Sequence, residues 1–154
     1  MDKEEVIRQT KDHIKNVQIF LNFIGQEIEK RGNGHDKSKL EEPEFETFCE
    51  YTVKLATSTY GSEEYKTFLK EMKPALDHHY QNNRHHPEHF EKGIDGMNII
   101  DVLEMLCDWK AASMRHKNGD ILKSIELSTE RFNLSPQLKN ILLNSICLFG
   151  VKNV

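Results

Sequence analysis

VIRQTKDHIKNVQIFLNFIGQEI, residues 6–28, decides the fold class. Its apolar residues recur at Val6, Val17, Phe20, Leu21, Ile24 and Ile28, with Thr10 and His13 filling the gap. That three-and-four spacing draws one stripe along a helix. The stripe is expected to face a core, and His13 in its middle with it. Lys30-Arg31-Gly32-Asn33-Gly34 then supplies two glycines and an Asn, so the helix is expected to stop there.

The rest of the chain reads the same way. His35-Asp36 opens the next element. Pro43 between Glu42 and Glu44 predicts a helix N-terminus, where a missing amide costs nothing and acids favour the dipole, with Phe45, Phe48, Thr52 and Leu55 as the inner face. A loop at Thr57 to Ser62 follows, and Ser62 caps a helix whose stripe is Tyr65, Phe68, Leu69, Met72, Leu76 and His79. Pro74 either kinks that helix or begins a new one. His79 falls on the buried side and His78 does not. Gln81 to Gly96, with its asparagines, Pro87 and glycines, predicts a long loop that something must hold down. Helices are then expected from about Met97 to Lys117, from Ile121 to Phe132 and from Pro136 to Phe149, the last capped by Ser135. No internal repeat, low-complexity segment or strand ladder appears. The expectation is an all-α bundle of about six to seven helices in a single domain over residues 1–154.

Bulk properties narrow the function classes. The chain has 154 residues, enough for one core, and is 37% hydrophobic and 30% charged, so disorder is not expected. Twenty-one Lys and Arg against twenty-five Asp and Glu leave a net charge of −4, which gives no global attraction to nucleic acid or anionic lipid. Cys49, Cys107 and Cys147 are far apart and form no CxxC pair, which argues against a disulfide framework or a thiolate zinc site; they are expected as reduced core residues. The N-terminus is charged at once, and no apolar run approaches the ~18 residues a membrane span needs. A cytoplasmic protein with no membrane contact is expected.

Eight histidines are more than packing usually requires. Imidazole is a common ligand for zinc, iron, nickel and manganese, and Asp adds a hard oxygen for the same ions. His13 is a candidate by its position on the stripe. His35-Asp36 follows a Gly-rich turn, where both side chains can reach one ion. Asp101, Glu104 and Asp108, three and four apart, share a helix face. Such acids repel one another unless solvated or neutralised, so they form either an exposed acidic stripe or part of a cation site; Asp108, between Cys107 and Trp109, is least like a surface residue.

His13, then His35-Asp36-Lys37-Ser38-Lys39, then His85-His86-Pro87-Glu88, then Asp108-Trp109-Lys110-Ala111-Ala112 resembles the HD superfamily of metal-dependent phosphohydrolases. The longer pattern HDKSKL, HHYQNNRHHPEHF and MNIIDVLEMLCDWKAAS is also similar to a family of small bacterial and viral proteins of unassigned function. The resemblance implies an HD-like bundle. It implies that His13, His35, Asp36 and Asp108 hold a first divalent metal, and that His79, His85 and His86 supply a second, though His79 and His85 are only six residues apart, so either the loop folds back or only some of these histidines bind. Gln9, four before His13, is not an acid, which removes one way of binding a third ion. The implied ion is Mn, Fe, Co, Ni or Zn.

The chemistry that follows is metal-assisted hydrolysis, in which no nucleophilic side chain is required. Lys39 is a candidate for neutralising a phosphate, with Arg84, Lys110 and Arg115 as further substrate-binding candidates, and Glu104 for proton transfer or support behind the ligands. Two functions of different class stand on these residues: a phosphohydrolase acting on a nucleotide or another small phosphorylated molecule, and a non-catalytic module in which an ion ties the His-rich loop to the bundle. The mixture of carboxylates and imidazoles favours the first, because it suits a site that keeps water positions open.

Overall fold

The computed structural model describes residues 2–58, 62–115 and 119–150, and within them the chain is all-α, with seven α-helices and no strand. It divides into two compact units, Met1–His35 and Asp36–Val154.

The first unit is a single long helix, α1 (Lys3–Gly34), capped by Asp2. It runs six residues past Ile28, through the stretch expected to end it, because a helical glycine costs only about 1 kcal/mol relative to alanine and does not forbid the conformation. The end comes at His35, whose N–H bonds back to the Gly32 carbonyl. The stripe forms as predicted, but it is not buried. No residue of α1 is buried, and Phe20 and Leu21 are 64% and 61% exposed. The unit contains no second element that could cover it.

The second unit opens on Asp36, one of two non-glycine residues with positive φ among those described. Asp tolerates this left-handed backbone better than most residues. A 3-10 turn (Lys37–Leu40) follows, then α2 (Phe45–Thr57), which starts two residues later than Pro43 predicts, with Glu44 as its N-cap residue. Ser62 does cap α3 (Glu63–Glu71), accepting from Tyr65 N–H. Pro74 makes a fresh start: α4 (Lys73–Asn82) carries it in its first turn. The predicted loop contains two 3-10 turns, Pro87–His89 and Gly93–Gly96, before α5 (Ile99–Ser113). A Cβ on Gly96 would lie 2.7 Å from Cβ of Phe90, so glycine is required for the loop to close on itself there. Lys117, the expected end of that helix, lies outside the described residues, as does the middle of the Thr57 to Ser62 loop.

Then come α6 (Ile121–Phe132) and α7 (Pro136–Ser145), the latter capped by Ser135 and continued by a 3-10 turn to Phe149. The main core lies between α5, α6 and α7 and is built from Leu106, Ile121, Ile125, Leu134, Leu142 and Ile146, with Trp109 stacked parallel to Phe132 at its border. The three cysteines are unbridged, as expected, but exposed rather than in the core. No described helix is long and apolar enough to cross a membrane.

Candidate metal centre

The left-handed turn at Asp36 sets its carboxylate beside the start of the 3-10 turn. There Lys39 Nζ donates to Oδ2 at 2.6 Å. The other oxygen, Oδ1, lies 3.4 Å from His79 Nε2 and 3.5 Å from His85 Nε2.

His79 stands in the last turn of α4 and is buried, as the stripe predicted. Its Nδ1 lies 2.9 Å from Glu44 Oε2. A carboxylate at that nitrogen favours the tautomer with the proton on Nδ1, where the Asn83 amide nitrogen also lies 3.0 Å away, and Nε2 faces Asp36. His85 repeats the arrangement: Nδ1 is 3.2 Å from Glu104 Oε1 and Nε2 faces Asp36. His86 Nε2 meets His79 Nε2 at 2.9 Å. Burial, then the charge of Lys39, lowers the pKa of His79. Burial also takes His86 down to about 3, helped by His85 and His79. Both rings are therefore neutral at pH 7, the form in which imidazole binds a metal.

The six-residue spacing of His79 and His85 is accommodated by a fold-back at the end of α4. Asn83, extended and buried, donates from its amide to the His79 carbonyl at 2.8 Å and to Ser38 Oγ at 2.7 Å. His86 N–H bonds to the Asn83 carbonyl, and His89 Nδ1 donates to the Tyr80 carbonyl at 2.9 Å, pinning the loop to the helix it left. The His85 and His86 rings then lie 4.1 Å apart between centroids, and His79 and His86 4.8 Å.

One ligand atom each from Asp36, His79, His85 and His86 falls within 4.8 Å of the others. Bonds of 2.0–2.1 Å to a tetrahedral ion would separate its ligand atoms by about 3.3 Å, close to the 2.9, 3.4 and 3.5 Å found here. Carboxylate oxygens of Asp36 and Asp108 also lie within 4.8 Å of each other. The group fits a divalent cation: three imidazoles and a carboxylate, with a second carboxylate adjoining.

His13 is exposed on α1, and His35 follows it by twenty-two residues of continuous helix, about 33 Å at 1.5 Å per residue, so the two do not meet. His35 itself is half-buried and closes α1. Glu104 and Asp108 lie one turn apart on α5, both half-buried, and the charge of Asp108 is felt at His86. Lys110 is half-buried and Arg115 exposed. Arg84, a substrate-binding candidate, is engaged with Asp101 through two bonds. Asp101 is fully buried, which corrects the solvated stripe: the three acids share a face, but that face is covered. The sequence reading missed Glu44, wholly buried and in contact with both His78 and His79. Thirty-five residues separate it from His79, and as an acid beside Pro43 it reads as an ordinary first-turn residue.

A family model described as a family of unknown function (DUF5662) matches residues 2–147. No curated protein and no solved structure matches the chain.

Proposed function

Since the chain belongs to DUF5662, a family of unknown function, we propose a function from the site: a metal-dependent phosphohydrolase acting on a nucleotide or other small phosphorylated molecule. The observation that carries it is the convergence of Asp36, His79, His85 and His86 within 4.8 Å, with Asp108 adjoining and a carboxylate behind each of His79 and His85. Closed structural zinc sites favour thiolate and imidazole; a site with hard carboxylates suits an ion that keeps positions open to water and substrate. The proposal includes Mn, Fe, Co, Ni or Zn as the ion, and an HD-type kinship suggested by the order of His35-Asp36 and the late Asp108.

A divalent ion held there would supply Lewis acidity and a water of lowered pKa. The chain's own residues would do the rest. Lys39, already within 2.6 Å of Asp36, places a cation at the edge of the ligand group, where it can offset the charge of a bound phosphate. Lys110 and Arg115, further along α5 and past its end, are additional cations for the substrate. Glu104 contacts the His85 ring through Nδ1 and is the candidate to accept a proton. Three unbridged, exposed cysteines favour a reducing, cytoplasmic setting.

Two measurements test the proposal: elemental analysis of untagged protein, and phosphate release from nucleotides, phosphomonoesters and cyclic or dinucleotide substrates with added manganese, cobalt or nickel. Near-stoichiometric metal and chelator-sensitive turnover are expected. Less than about 0.2 equivalents of metal, with no thermal stabilisation on adding it, removes the site, because a ligand of the native state must raise its stability. Metal without phosphate release from any substrate assigns the site to the non-catalytic module instead.

A further inference from the structure

Glu44 is fully buried, and a buried carboxylate is stable only where donors satisfy it. Three converge on it. Oε1 lies 2.7 Å from His78 Nδ1, Oε2 lies 2.9 Å from His79 Nδ1, and Ser38 Oγ donates to Oε2 at 3.1 Å. With both oxygens engaged from different sides the carboxylate is fixed, and its backbone is fixed too, as the N-cap residue of α2 with its N–H bonded to the Glu41 carbonyl. Ser38 is itself held by Asn83, whose amide also grips the His79 carbonyl. Glu44 therefore belongs to a closed set of bonds joining the Lys37–Leu40 turn, the start of α2 and the end of α4 behind the His79 ring.

We propose that Glu44, which is not among the ligand atoms, is the positioning residue of the centre: it holds the proton of His79 on Nδ1 and aims the Nε2 lone pair at Asp36. Free neutral imidazole favours the opposite tautomer, with the proton on the nitrogen that would have to bind. Without an acceptor at Nδ1, His79 has no reason to keep the binding nitrogen bare. The His78 ring, half exposed, sits on the far oxygen and anchors the carboxylate without belonging to the candidate ligands. The inference rests on the metal-centre reading for its consequence, but its primary observable does not need a metal.

The test uses full-length protein with isotopically labelled histidine. In chelator-treated wild type, imidazole nitrogen shifts should report His79 protonated on Nδ1 with Nε2 bare. Glu44→Ala should move the proton toward Nε2 and lower cobalt affinity by about 10- to 100-fold, the range typical of lost partners behind a ligand. Glu44→Gln should recover most of that loss, since the Ser38 hydroxyl selects the amide oxygen at the position facing His79. A merely structural role would not move a tautomer while leaving helical content intact. If wild-type His79 carries its proton on Nε2, or folded Glu44→Ala binds cobalt as wild type does, the inference is overturned. If wild type shows the Nδ1 proton yet binds no metal, the metal-centre reading fails and only the placement of the His79 proton by Glu44 stands.

Discussion

Arg84 grips Asp101 through two bonds, Nε to Oδ1 at 3.1 Å and Nη2 to Oδ2 at 2.9 Å, and its guanidinium lies 4.8 Å from the centre of the Phe90 ring. The same carboxylate accepts from the Asn98 N–H and completes the capping box of α5. One side chain thus ties the His-rich loop to the helix carrying Glu104 and Asp108.

Asp101→Ala should consequently be a stability variant. It removes a capping-box member, worth about 1 kcal/mol, and leaves Arg84 without its carboxylate. Arg84 is 44% exposed and can turn to water, so the total should be about 2–3 kcal/mol, below the cost of breaking a fully buried pair. For a chain of this length that is a fall of about 8 °C in Tm. Thermal unfolding beside metal analysis checks it: a Tm within about 1 °C of wild type would contradict the capping and anchoring role.

The lowered pKa values of His79 and His86 set a pH dependence for the metal-free protein. Unfolded, both rings titrate near 6.5; folded, both resist protonation, His86 down to about 3. Below pH 6.5 the unfolded chain therefore binds protons that the native state does not, and stability falls as pH falls. The slope from His86 alone approaches about 1.4 kcal/mol per pH unit across that window. Urea titrations of chelator-treated protein between pH 7 and pH 4 should show the decline, shallower in His86→Asn. An equal decline in that variant would count against His86 as its source.

What could be read in advance was local. Ser62, and Ser135 with Pro136, mark helix starts because a cap acts on the amides two or three residues away, and His79 could be told from His78 because periodicity fixes which side of α4 each occupies. What could not be read depends on distant partners. Glu44 supports a histidine thirty-five residues later, and Asp101 is buried because Arg84 reaches it from the loop. The apolar stripe of α1 shows the limit from the other side: the pattern makes the helix, but burial needs a second element, and the first unit has none.

Carboxylate oxygens of Asp36 and Asp108 lie within 4.8 Å of each other, a separation at which like charges cost free energy unless a cation intervenes. Lys39 relieves Asp36 from one side. A bound divalent ion would relieve both. Asp108→Asn keeps the shape and removes one charge, so the gain in stability on adding metal should collapse. In wild type that gain is about 2.7 kcal/mol when free metal stands at a hundred times Kd, or about 8 °C in Tm. Glu104→Gln should behave differently: Glu104 contacts the His85 ring through Nδ1, so most of the metal should stay while turnover drops. Thermal shift with and without metal, run beside metal stoichiometry for both variants, separates the two roles. Should Asp108→Asn keep its full metal-dependent shift, Asp108 is not a ligand, and the centre reduces to Asp36 with its histidines.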